Sequence, residues 1–484
     1  MKKVGVSRRK VQVGFKGFVS DRDERVLGWE YSPETLNFAV DGGVLTGKLG
    51  IDAARGFVKN MPEAYWNIPD LPDSSGIRRI FHFRRDLAAD ADRLVVQTIG
   101  GDFYEIDLFT ASSAWSAIEG LHADEDAVAV NYKYDGKNIL IVSAPDLAIT
   151  VYDGATVTPV TNGLKFAALE VHGERVFGVY NGKRGSVWFS DNLDPTDWTV
   201  SADAGGYIAF GDDCGDAIGL VSFLGYLYIF RERGIYRLTA YGDQGEFMLK
   251  KLFTSTGCIY KDTIALCGDR IMFLDDEGVK SFDGYDVTDP GVQLPGDIVY
   301  RKYSVGAYSG GAYHLTFHIN YSGKYDMEPL YYCSTLVRYR LAEKDVAVLA
   351  GWDIRHIAAV ASMGCSGLFV ASGSSTHKCK LGRLSESGKF YGTPSHKIYR
   401  SPASDLGYDG IKVVRELTFT LTGGEVTVSL DADGKRVYSR SFEPTGLPVT
   451  AFVGRSGRQL ALTVTSDAAL PSMTPPAVRV DLVR

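Results

Sequence analysis

The chain has 484 residues, 45% of them apolar and 23% charged, with 59 acids against 52 bases and a formal net charge of -7. That length allows two to four domains with a substantial core, and the composition excludes collagen, coiled coil and low-complexity disorder. The acidic balance excludes a nucleic-acid coat over the whole chain, although it leaves room for a local basic patch.

Glycine stands at 54 positions and Tyr plus Phe at 27 and 24, an excess that favours many short strands joined by tight turns. Six cysteines, Cys214, Cys258, Cys267, Cys333, Cys365 and Cys379, are too sparse for a disulfide framework and form no CxxC pair, so no structural zinc is expected. The longest apolar stretch, 218–230, falls far short of the ~20 residues a bilayer needs. The basic start MKKVGVSRRKVQVGFKGF lacks the apolar run of a secretory signal. These features predict a protein made in a reducing cytoplasm, without membrane contact.

In chain order, residues 1–60 read as a basic arm followed by an opening hairpin. The first twenty residues hold Lys2, Lys3, Arg8, Arg9, Lys10 and Lys16 and no acid. Cations without counter-charges predict a flexible segment that becomes ordered on an acidic neighbour. In 36–51, LNFAVDGGVLTGKLGI, an Asp41-Gly42-Gly43 turn separates two apolar-alternating runs, a strong hairpin signal.

From 61 to 404 the chain repeats one unit, strand–turn–strand, at a spacing of roughly 40–50 residues, the period of β-propeller blades. The turns fall at Gly100-Gly101, Ala144-Pro145-Asp146, Asn181-Gly182, Arg233-Gly234, Glu277-Gly278 and Gly373, with a longer hairpin around a 321–329 loop. Aromatic-Asp-Gly recurs at Tyr134-Asp135-Gly136, Tyr152-Asp153-Gly154, Phe282-Asp283-Gly284 and Tyr408-Asp409-Gly410, which is turn chemistry. Sustained amphipathic helix patterns are absent, which argues against Rossmann, TIM-barrel and α/β-hydrolase folds. After a linker at 401–404, residues 405–484 alternate with period two and read as a β-sandwich. The expected fold is all-β: a propeller of six or seven blades with a small C-terminal β-sandwich, the first hairpin closing the ring on the last blade.

Candidate chemistry is thin. His314 and His318 share a strand face but lie about 13 Å apart by rise, and the remaining histidines are scattered singly, His377 with Cys379 being a weak pair. Asp212, Asp213 and Asp216 read as an acidic loop, and Asp431-Ala432-Asp433-Gly434 as a hairpin turn without the distal Glu of a calcium loop. The spacing 42–48 has a P-loop's glycine and lysine, but Leu49 stands where Ser or Thr would hold magnesium. No catalytic residue, metal or cofactor is predicted.

The segment 186–242 carries a capped turn: Trp188, Ser190, Asp191, Asp194, Pro195 and Trp198 in VWFSDNLDPTDW. Pro195 fixes φ, and Trp198 is free to bury against a blade edge. A superficial likeness to the sialidase Asp box is itself a turn staple. Together with DAIGL at 216–220 and YLYIFRERGIYRLTAYG at 226–242, this segment resembles a phage virion family, the packaged-DNA stabilisation and tail-nozzle proteins of short-tailed phages; NFAVDGGVLTGKLGI is similar to the opening strand pair of such propellers. The resemblance implies a non-enzymatic structural virion protein of the tail or neck (nozzle or head-completion type), made in the host cytoplasm. It implies a homo-oligomeric ring, hexameric, around the DNA channel, with portal, adaptor and tail proteins as partners. Two other readings stand beside it. One is a glycan- or receptor-binding propeller using Tyr321, Tyr325, Tyr331 and Tyr332. The other is a sialidase-like glycoside hydrolase, which needs a carboxylate, a Tyr nucleophile and converging arginines among Arg231, Arg233, Arg237, Arg338 and Arg340.

Overall fold

The structure, a computed structural model, describes residues 6–19, 27–58, 61–85, 92–161, 163–252, 256–296, 298–319, 333–362 and 365–483. These contain strands and three short 3-10 turns, and no α-helix. Among them, seven consecutive antiparallel sheets form a β-propeller.

Blade 1 comprises Ile77–Phe83, Arg93–Thr98, Asp102–Asp107 and Ser116–His122. Blade 2 comprises Val128–Tyr134, Lys137–Ser143, Thr150–Tyr152 and Val157–Pro159. Blade 3 comprises Phe166–His172, Arg175–Tyr180, Ser186–Phe189 and Gly206–Ala209. Blade 4 comprises Ala217–Phe223, Tyr226–Arg231, Gly234–Thr239 and Met248–Lys251. Blade 5 is built on Ala265–Leu266, Ile271–Leu274, Val279–Phe282 and Val287–Thr288. Blade 6 is built on Val305–Ser309, Ala312–Ile319, Cys333–Arg340 and Asp345–Ala350. Blade 7 supplies Ile354–Ser362, Cys365–Ser372 and Leu381–Ser385.

Each hairpin expected between 61 and 404 is the second and third strand of one blade. The turn residues explain why: Gly101 has φ +97, and a Cβ there would stand 2.6 Å from the His122 ring, so a side chain is excluded twice over. Asp107, Asp153 and Asp283 each accept two backbone N–H groups from the residues two and three positions on. This is the Asx turn that lets a third strand reverse into a fourth.

Packing runs between blades. Phe83, Val95 and Phe103 of blade 1 share a core with Leu140 and Val142 of blade 2. Phe230 of blade 4 meets Phe273 of blade 5, ring centroids 5.6 Å apart. Ile77 and Leu94 of blade 1 meet Val360 and Phe369 of blade 7, so the ring is closed by the same kind of contact that joins its other members. Each such buried side chain contributes about 1.5–3 kcal/mol of transfer energy.

The fourth strand of blade 7 comes from the other end of the chain. Gly50–Ala53 pairs antiparallel with Leu381–Ser385, Ile51 opposite Leu384 and Asp52 opposite Arg383. The sequence expectation gave this job to the first hairpin; the strand just after it does the pairing, while the hairpin itself, Ala39–Asp41 with Val44–Thr46, joins the sandwich.

The sandwich also draws on both ends. One sheet holds Val6–Gln12, Ala477–Val483, Lys412–Thr422 and Pro448–Gly457, and continues through Ser472–Met473 to the first hairpin. The other holds Glu34–Leu36, Lys397–Arg400, Leu460–Ser466, Val426–Ala432 and Lys435–Phe442. Leu417, Phe419, Leu421, Val426, Val428, Leu430, Leu460, Leu462 and Val464 all point into one core, as their alternation requires, and Val13, Phe15 and Trp29 complete it.

The expectation of a free basic arm is therefore corrected. Val6–Gln12 pairs in register with Ala477–Val483, Arg8 opposite Asp481 and Lys10 opposite Arg479. The cations are explained by position: this strand is the edge of its sheet, and charged side chains blunt an edge against further strand pairing. Lys2 and Lys3 lie outside the described residues. The division at 404 likewise shifts, since Lys397–Arg400 already belongs to the sandwich.

Asn37 joins the two bodies. It is 1% exposed with φ +58; its N–H donates to Val348 O at 2.7 Å, its Nδ2 to Ala350 O and His396 O, and its Oδ1 accepts from Ala350 N–H at 3.0 Å. One side chain thus satisfies the outer strand of blade 6 while turning the chain between sheets.

Candidate functional site

The capped turn marked in the sequence lies between the third and fourth strands of blade 3. Ser190 Oγ accepts from Val176 N–H at 3.0 Å and donates to Asp191 O. Asp194 accepts from the Thr196 N–H and hydroxyl, at 2.9 and 2.6 Å. Trp198 donates its ring N–H to Pro195 O at 2.9 Å and lies 4.7 Å from the Phe166 ring, 3% exposed, in the core between blades 2 and 3. Trp188 stacks on Tyr207 at 5.2 Å. Beneath the turn, Arg175 donates to Ser190 O and Ala204 O and stands 3.7 Å from Asp191. These hydrogen bonds all stay within blade 3, so the arrangement fastens the turn.

The described cations of the N-terminal segment are spread along the sandwich. Arg8 is 3.6 Å from Asp481, which also accepts from Arg415 Nε at 2.6 Å. Lys16 pairs with Glu30 at 3.2 Å, and Arg9 and Lys10 are exposed.

The other sequence candidates stay apart. His314 is buried in blade 6, where burial and then the neighbouring Arg338 push its pKa down to about 3, so it is neutral. Asp212 is consumed by Arg231, Tyr236 and Lys251. Asp433 and Gly434 form the expected hairpin turn, φ +52 and +77. Arg237 covers the Tyr226 ring at 4.4 Å in blade 4, and Arg340 pairs with Asp345 in blade 6; the arginines do not converge. No group of three His, Cys, Asp or Glu able to hold a metal occurs among the described residues. Tyr321, Tyr325, Tyr331 and Tyr332 lie outside them.

A cluster that sequence reasoning missed sits at one mouth of the propeller axis. The first strands of blades 7 and 1, 2 and 3, 3 and 4, 5 and 6, and 6 and 7 lie against each other around that axis. Residues of the blade strands and of the connections before them meet there in a cavity of about 420 Å³ lined by Arg78, Arg79, Asp126, Asp262, Lys302, Tyr303, His318, Arg355 and His356. Arg79 of blade 1 donates to Asp126, before blade 2, at 2.7 Å and to Asp262, before blade 5, at 2.8 Å. Burial alone would raise the Asp262 carboxyl; Arg79 beside it holds it below the ordinary carboxylate value. The same guanidinium, with burial as the larger cause, drives the buried His356 down to about 3 and keeps it neutral. Deeper along the axis Glu170 accepts from the Ser222 N–H at 3.2 Å, and burial lifts its pKa to about 7. No local pattern announces these residues, because each stands in a different blade or in the connection before one.

No family model matches the chain, and no curated protein is similar to it in sequence. Among solved structures it is similar to BBS1N in complex with ARL6DN, soaked with lead, at 9% identity over 70% of this chain and 97% of that one, TM-score 0.43. The mercury-soaked form of that complex gives 10% identity over 69% and 94%, TM-score 0.41. Hsv2p of Kluyveromyces lactis gives 10% over 60% and 87%, TM-score 0.33. Likeness at this level says nothing of activity.

Proposed function

We propose that this chain is a non-enzymatic structural protein of a bacteriophage virion, a component of the tail or neck of nozzle or head-completion type. In this reading several copies, six by the resemblance of its 186–242 segment, form a ring around the DNA channel and contact portal, adaptor and tail proteins. The observation that carries the reading is the way the chain's ends are locked. Gly50–Ala53 closes the propeller and Val6–Gln12 pairs with Ala477–Val483, so both bodies are tied shut by strands distant in sequence. A ring component under internal pressure needs a block that does not unzip, and closure of the propeller removes the exposed edges at which its unzipping would start.

Peptide mass spectrometry of purified particles, with a reconstruction of their tails, tests this. The chain is expected at several copies per particle in a ring on the tail axis. Its absence from purified particles overturns the reading.

A further inference from the structure

The axis-mouth cavity falls within the roughly 300–1,000 Å³ usual for small-molecule sites. Its groups divide into those already satisfied and those that are not. Asp262 is spent on Arg79, which it shares with Asp126; one cation between two carboxylates leaves a net negative charge, and Asp126 stays 49% exposed, while Arg78 is occupied by Asp124 O, by Ile99 O at 3.1 Å and by Asp126 at 3.8 Å. Arg355 and Lys302 have no carboxylate partner among the described residues, and both are exposed at the cavity. Tyr303 beside them is 56% exposed, with Lys302 Nζ 4.9 Å from its ring centre. His356, 8% exposed, buries its Nδ1 with no hydrogen-bond partner.

The ligand must therefore present a negative group to Arg355 and Lys302, and an apolar face to Tyr303. It must also present hydrogen-bond donors to Asp126 and Asp353, whose carboxylates only accept and which also line the cavity. A bare inorganic anion offers few donors and is repelled by those two carboxylates; a neutral sugar leaves the two cations unanswered. We propose that the propeller's axis mouth binds an acidic sugar, its carboxylate held by Arg355 and Lys302, its hydroxyls by Asp126 and Asp353, and its ring face on Tyr303. This site does not depend on the virion reading and stands or falls separately from it.

The test is titration of the full chain with D-glucuronate and N-acetylneuraminate, followed by saturation-transfer NMR and calorimetry, with D-glucose and inorganic phosphate as controls. At least one sugar acid is expected to bind with millimolar or better affinity, and Arg355→Ala or Lys302→Ala to weaken it roughly tenfold or more. Both side chains are exposed, so the variants keep the parent's melting temperature. The proposal is overturned if neither sugar acid binds, if both variants bind as the parent does, or if glucose or phosphate binds as tightly as the sugar acid.

Discussion

Arg79 and Asp262 are 183 positions apart in the chain and 2.8 Å apart in the fold. The pair spans the propeller axis from the start of blade 1 to the approach to blade 5. It ties together the two sides of the ring at the mouth where the cavity opens.

Removing this arginine leaves the Asp262 carboxylate, 20% exposed, without its counter-charge. Breaking one side of such a pair costs about 3–5 kcal/mol. Arg79→Ala is expected to lose stability in that range by urea unfolding. Asp126→Asn, at a carboxylate that is 49% exposed, is expected to cost under about 1 kcal/mol. Equal effects of the two variants would show that Asp262 is not the partner that matters.

Glu170 makes stability depend on pH near neutrality. Its folded pKa, about 7, lies above the unfolded value of 4.5. Between those values the folded state keeps a proton that the unfolded state has released, so stability falls as pH rises through this window and the loss is complete above about 7. Glu170→Gln keeps an acceptor for the Ser222 N–H and removes the titration. The variant is expected to gain about 1–3 kcal/mol over the parent at pH 8 and to match it at pH 4.5. Parallel urea midpoints for both proteins across pH 4.5–8 would contradict this.

Trp198 anchors the capped turn of blade 3 to blade 2 through Phe166. Trp198→Ala empties a buried site and frees the Pro195 carbonyl, at an expected cost of about 3–5 kcal/mol. Trp188→Ala, which removes a half-buried ring stacked on exposed Tyr207, is expected to cost less. Calorimetric melting of both variants separates the two roles, and the reverse order would put the fastening function on Trp188.

Phe15 carries the N-terminal segment into the sandwich core, 3% exposed with its ring 4.9 Å from that of Tyr399. Phe15→Ala is expected to cost about 3–5 kcal/mol, and deletion of residues 1–16 to cost more, since it also strips Ala477–Val483 of its edge partner. Unchanged unfolding after that deletion would return the segment to a free basic arm.

The all-β class, the propeller period and each blade's central hairpin were legible in the sequence, because strand alternation and turn chemistry are local. Gly100-Gly101 or Phe282-Asp283-Gly284 specifies a reversal whatever surrounds it, and Leu417, Phe419 and Leu421 alternate because one face of their strand is wet. The basic start misled for a related reason: charge suggests solvation, and the sequence alone does not distinguish a solvated arm from the guarded edge of a sheet. That Val6–Gln12 meets Ala477–Val483, and that Gly50–Ala53 completes blade 7, depends on partners more than 300 residues away. The axis mouth was decided by tertiary structure alone. Arg79 and His356 sit in the first strands of blades 1 and 7, Asp126 and Asp262 in the approaches to blades 2 and 5, with no shared spacing, and only closure of the ring brings these groups within hydrogen-bond and Coulomb range.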